Sequence, residues 1–145
     1  MKKIGVLIAA GMLFAAAPSF AQTVGTCPRG GGSSQPQPVR VLFALNSSQV
    51  PPGEKPMIAQ AVKTAKERQV SAICLIGHTD KLGDKAYNEK LARARAQAVA
   101  AEMIRDGYPA KNITIVADPE AFGNMSFGND NASEIDRKVT IFYAR

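Results

Sequence analysis

Apolar positions along this chain recur with two different periods, and the alternation between them divides residues 39–145 into strands and helices. Residues 39–45, dense in Val, Leu and Phe, read as a first strand. A polar turn containing Pro51, Pro52 and Gly53 follows. Met57, Ile58, Ala61, Val62 and Ala65 then return at helical spacing, which predicts a helix over 54–68 with Met57 on its core face. Residues 70–76 form a near-continuous apolar run that ends at Gly77, the pattern of a strand buried on both faces. An Ala-rich helix is expected over 84–106, with Met103 in the core and Gly107 at its end, where a residue tolerant of positive φ is favoured. Residues 113–117 and 138–144 read as the last two strands, the latter alternating Val139, Ile141 and Tyr143 against Thr140 and Phe142. The segment 118–136 between them carries Gly, Asn, Phe122 and Phe127 and reads as a loop. The order βαβαββ predicts an α/β (α+β) domain in which two main helices pack on a sheet. In such sheets ligands favour the carboxyl ends of strands, and the stretch from Gly77 to Gly83 lies at one.

One residue breaks the pattern. Arg95 has Leu91, Ala92, Ala98 and Val99 as its nearest neighbours on the helix surface, so it sits inside an apolar stripe. Arg93 points far round the cylinder and reads as solvated. A guanidinium among apolar neighbours is costly unless paired and hydrogen-bonded. Arg95 is therefore expected to have a carboxylate partner, either Asp80 or a ligand's.

The chain has 145 residues, and its beginning does not fit the fold. A basic start (Lys2, Lys3), an apolar run from Ile4 to Ala17, and Ser19-Phe20-Ala21 with small residues at −3 and −1 read as a signal peptide over 1–21. A membrane span needs ~20 apolar residues, more than this run supplies, so no transmembrane segment is expected in the mature chain. A lipidated cysteine would abut the run, whereas Cys27 is separated from it by polar and small residues. Residues 22–38, rich in Gly, Ser, Gln and Pro, read as a linker, and 39–145 as one domain. Without Lys2 and Lys3 the formal charge falls from +6 to +4, spread along the chain and without an aromatic platform. This gives nucleic-acid binding little support and suits an anionic polymer. Cys27 and Cys74 admit two readings of equal standing: a disulfide tying the N-terminal tail to the domain, or a core Cys74 with a free Cys27. His78 is the single histidine, no metal-ligand spacing occurs, and a structural role fits it better than catalysis.

Taken together, Gly77-His78-Thr79-Asp80-Lys81-Leu82-Gly83, then Tyr87-Asn88-Glu89-Lys90-Leu91, then Ala94-Arg95-Ala96-Gln97-Ala98-Val99 resemble the G-H-T-D-x-x-G … N-x-x-L-S-x-x-R-A-x-x-V signature of the OmpA-like C-terminal domain. That domain is the peptidoglycan-binding module of outer-membrane protein A, peptidoglycan-associated lipoproteins and flagellar motor stators. Asp136-Arg137-Lys138-Val139 resembles its terminal N-R-R-V strand, and the likeness spans roughly residues 39–145. The resemblance implies a single domain with a mixed four-stranded sheet. It also implies that Asp80 and Arg95 hold the diaminopimelate of the peptidoglycan stem peptide, the first taking its ammonium and the second its carboxylate. Thr79 and Asn88 match motif positions that shape the loop or add hydrogen bonds, and Asn46 and Arg137 are further candidates for the same pocket.

The sequence also departs from the signature. Ala92 replaces the Ser after the motif Leu, Ala44 an Asp often found after the first strand's Phe, and Lys138 the second terminal Arg. The G-x-G-E-x-x-P-like loop after the third strand is here Ala117-Asp118-Pro119-Glu120-Ala121-Phe122-Gly123-Asn124.

These readings predict a non-enzymatic periplasmic protein, associated with the cell wall and located at or near the outer membrane, binding peptidoglycan without cofactor or metal. Lys81, Lys85, Lys90 and Arg93 form a solvated rim. The alternative is a scaffold or protein-interaction module for envelope partners, with a weakened peptidoglycan site.

Overall fold

The computed structural model of the chain describes residues 27, 35–79, 84–117 and 136–144. The expected signal peptide over 1–21, most of the linker, Asp80, Lys81 and the 118–135 loop with Phe122 and Phe127 lie outside the described residues.

Strand β1 (Val39–Leu42) is followed by a 3-10 turn at Pro52–Glu54, helix α1 (Lys55–Glu67), strand β2 (Ala72–Gly77), helix α2 (Lys85–Arg105), and strands β3 (Ile113–Ala117) and β4 (Lys138–Ala144). The four strands form one mixed sheet in the order β1-β4-β2-β3. β4 runs antiparallel to both β1 and β2, and β2 runs parallel to β3 across α2. The βαβαββ order and the mixed sheet agree with the expectation.

Both helices lie on one face of this sheet. Alternating residues Ile73 and Leu75 of β2, Val139, Ile141 and Tyr143 of β4, Val41 of β1 and Ile115 of β3 meet Ile58, Ala61, Val62 and Ala65 of α1 and Ala96, Val99, Ala100 and Met103 of α2. Small residues on α2 let it approach closely. A Cβ placed on Gly77 would collide with the backbone of Ala92, so helix and strand end touch main chain to main chain.

The boundaries correct the sequence reading in three places. β1 stops at Leu42 because the chain turns at Asn46, whose φ is 52°. Val70 belongs to the end of α1 and not to β2: Gln69 takes φ 52°, and the Val70 amide donates to the Ala65 carbonyl at 2.8 Å. Met57 is 44% exposed, because it lies 100° round α1 from Ile58 and misses the buried stripe. Met103 is fully buried, and Gly107 ends α2 with φ 89°, as the pattern predicts. Asp84 caps the start of α2, its carboxylate accepting from the Tyr87 amide at 3.1 Å.

Cys27 and Cys74 are joined in a disulfide with 5.7 Å between their Cα atoms, which settles the choice left open above. Cys74 is 1% exposed, and strand alternation puts it on the sheet face opposite the helices, between Ile73 and Leu75.

Candidate functional site

The carboxyl ends of β1 and β2 lie on either side of β4 beneath α2, and the Arg95 guanidinium bridges the chain beyond them. Arg95 lies three residues beyond Ala92 on the buried stripe of α2 that also holds Asn88, Ala96, Val99 and Met103, and it is 1% exposed. Its Nε donates to the Ser47 carbonyl at 2.8 Å, Nη2 to the Ala44 carbonyl at 3.2 Å and Nη1 to the His78 carbonyl at 3.3 Å. The guanidinium carbon stands 5.5 Å from the centroid of the Phe43 ring, a distance suited to cation–π attraction. The apolar stripe predicts a carboxylate partner for Arg95. The partners visible here are main-chain carbonyls. Asp80, the expected carboxylate, lies outside the described residues.

A guanidinium has five N–H donors. Bonds to three carbonyls orient its plane at the strand ends. Hydrogen bonds to a charged group contribute about 1.5–3 kcal/mol each, so the strand ends hold Arg95 firmly.

Each carbonyl is set by local folding. A turn brings Ala44 and Ser47 together, the Ser47 amide donating to the Ala44 carbonyl at 3.2 Å, and Asn46 takes the left-handed conformation that closes it. His78 extends β2 by one rung: its amide donates to the Lys138 carbonyl at 2.8 Å, which turns its own carbonyl toward Arg95. The His78 ring is buried on the other side of the sheet, with Nε2 3.4 Å from the Thr140 hydroxyl. Its surroundings fit the structural role expected for it.

The remaining candidates divide. Arg137 joins the strand-end cluster, its Nε donating to the Phe43 carbonyl at 3.4 Å while its own carbonyl accepts from the Phe43 amide at 2.8 Å. Thr79 directly follows His78 and is buried, and its hydroxyl has no hydrogen-bond partner among the described residues. Such a group costs about 1–3 kcal/mol when left unsatisfied. Asn88 is buried two turns before Arg95 on the same stripe. Asn46 is exposed and has its clearest role in the backbone of the turn. Arg93 pairs with Glu89 at 3.6 Å, one turn earlier on α2, as part of a partly exposed rim.

Ala44, Ser47 and His78 as carbonyl acceptors of the site, and Phe43 as its apolar wall, were not legible beforehand. Main-chain carbonyls leave no mark on residue type. The nearest signal was the polar turn following an aromatic strand end.

A model of the OmpA family matches residues 42–140, which contain every one of these groups. The outer-membrane lipoprotein YfiB of Pseudomonas aeruginosa is 34% identical over 76 residues, 52% of this chain and 45% of that protein. The chain thus spans less than half the length of that relative. Among solved structures, the peptidoglycan-associated lipoprotein from Burkholderia pseudomallei superposes with a TM-score of 0.64 at 24% identity, over 72% of this chain and 88% of the other. A putative MotB-like protein from Desulfovibrio vulgaris gives 0.63 at 20% identity, over 74% and 72%. At these identities the two structures speak for the fold.

Proposed function

Since the chain belongs to the OmpA family, we propose that it binds peptidoglycan in the cell envelope, non-covalently and without chemistry, by holding the diaminopimelate of the stem peptide between Asp80 and Arg95. The observation that carries this reading is the buried Arg95 guanidinium, oriented by three carbonyls at the ends of β1 and β2. A zwitterionic amino-acid end presents an ammonium and a carboxylate a fixed distance apart. The oriented positive charge of Arg95 faces the carboxylate, and the Asp80 carboxylate takes the ammonium. Thr79 and Asn88 shape the loop or add hydrogen bonds, and Arg137 adds positive charge at the strand ends.

Two charge-assisted contacts at about 1.5–3 kcal/mol each make a single stem peptide a weak ligand once binding entropy is subtracted. A polymer repeats that ligand, so rebinding on one sacculus multiplies retention.

The test separates binding from folding. Asp80→Asn keeps size and removes charge, and it should release the protein from purified sacculi while its circular dichroism stays native. Titration with a diaminopimelate-containing stem peptide should move the amide resonances of Thr79 and its neighbours in the native protein. Full retention of Asp80→Asn, together with no resonance shift in the native protein, would sink the assignment.

A further inference from the structure

The disulfide does more than close a loop, because of where in the sheet it lands. β1, through which the N-terminal chain enters the domain, is a strand of four residues that among the described residues lies at the sheet edge and pairs with β4 alone. β2, which carries Cys74, is internal, paired at six positions with β4 and at five with β3. β2 and β1 run in the same direction, and both end at Arg95.

By the backbone, Cys27 reaches the β2 side of the strand-end site, Gly77 to Thr79, only after traversing β1, α1 and the whole of β2. By the disulfide it enters β2 at Cys74 and reaches Gly77, His78 and Thr79 within a few residues. The bond spans a sequence separation of 47, so everything from the linker through α1 lies in the bypassed loop.

We propose that the Cys27–Cys74 bond is a force route: tension entering from the N-terminal side passes through the disulfide into β2 and on to the polymer site, leaving β1 and α1 unloaded. This rests on the proposed reading of the Asp80 and Arg95 region as the polymer site. Without the bond, tension shears the four-residue edge strand first. Extraction of β1 carries away the Ala44 and Ser47 carbonyls that orient Arg95, so the site fails before the inner strands do.

The experiment holds the full mature chain by an N-terminal handle while it is bound to sacculus fragments on a surface, and measures attachment lifetime at constant load. Cys27→Ser, checked for native circular dichroism, should shorten that lifetime about tenfold under load while retention without load is unchanged. Native protein in a dithiol reductant should behave like the variant, which guards against an effect of the serine itself. Equal lifetimes with and without the bond would overturn the inference. A second arm needs no polymer: with the other handle on exposed Lys85, the variant and the reduced protein should each yield up to ~160 Å of slack before β2 gives way, at about 3.4 Å per residue, and the native protein none. Identical traces in that arm overturn the force route. Absence of unloaded retention by the native protein, alongside distinct traces, removes the polymer reading and leaves the route standing.

Discussion

Gly77 and Ala92 are in main-chain contact: a Cβ built on Gly77 would lie 2.7 Å from the Ala92 carbonyl carbon and still closer to its oxygen. The obstacle is backbone and not a side-chain tip, so nothing small can move aside. This contact seats α2 on the end of β2 and sets the height at which Arg95, one turn on, reaches the strand ends. Gly77→Ala should destabilise the fold by about 3 kcal/mol, at the upper end of overpacking costs. Gly53→Ala, which meets nothing within 4 Å, should change stability by no more than about 0.5 kcal/mol. Urea unfolding midpoints of the two variants against the native protein check both.

Arg95 should matter to folding before it matters to binding. Arg95→Ala strands three carbonyls at a buried junction and should cost about 3–5 kcal/mol, the range for breaking a buried charged network. Arg95→Lys keeps the charge but presents a compact ammonium that cannot span three carbonyls in a plane, and it should recover only part of the loss. Thermal unfolding followed by circular dichroism ranks native, Lys and Ala in that order. Equal stability of all three would mean that the carbonyl cluster does not hold the residue.

The disulfide is expected to supply about 4 kcal/mol by the chain-entropy relation for a loop of this length. Denaturant unfolding with and without a reductant measures it, and Cys27→Ser under oxidising conditions should match the reduced protein. A difference below about 1 kcal/mol would show that residues 28–73 are already constrained in the unfolded chain.

Burial raises the phenol pKa of Tyr108 and of Tyr143 above the ordinary value of about 10. An acid whose pKa is raised by folding keeps its proton longer in the native state than in the unfolded one. Its stabilising contribution is therefore complete below pH 10 and is lost as pH climbs from there through the folded-state value. Stability should fall across the alkaline range, and Tyr143→Phe should flatten the fall. Tyr108→Phe should do the same while also losing the hydrogen bond from its hydroxyl to the Val70 carbonyl, about 1 kcal/mol at neutral pH. Urea midpoints taken between pH 8 and the alkaline limit of the fold test this, and unchanged slopes in both variants would refute it.

How much of this the sequence disclosed depends on whether side chains or main chain do the work. Alternation in residues 138–144, the helical recurrence in 84–106 and Gly107 gave β4, α2 and its end, because side-chain burial and φ preference both write themselves into residue type. The oddity of Arg95 was legible for the same reason. Its carbonyl partners were not, since Ala44 and Ser47 serve through atoms that every residue has. Val70 was apolar because it is buried, but its place was fixed by the α1 cap. Cys27 and Cys74 were visible as residues and silent as a pair, because the geometry that joins them exists only once the sheet does.

The position of β4 between β1 and β2 has a consequence for how the chain acquires its shape. Among the described residues it is the last element in chain order, yet it joins β1 to the pair formed by β2 and β3. Among the described residues β1 has no other partner, and the β1 and β2 ends that hold Arg95 are set in place on either side of it. A chain emerging from its amino end can therefore form β2, α2 and β3 as a local unit. It can complete neither the sheet nor the site until residues 138–144 have arrived.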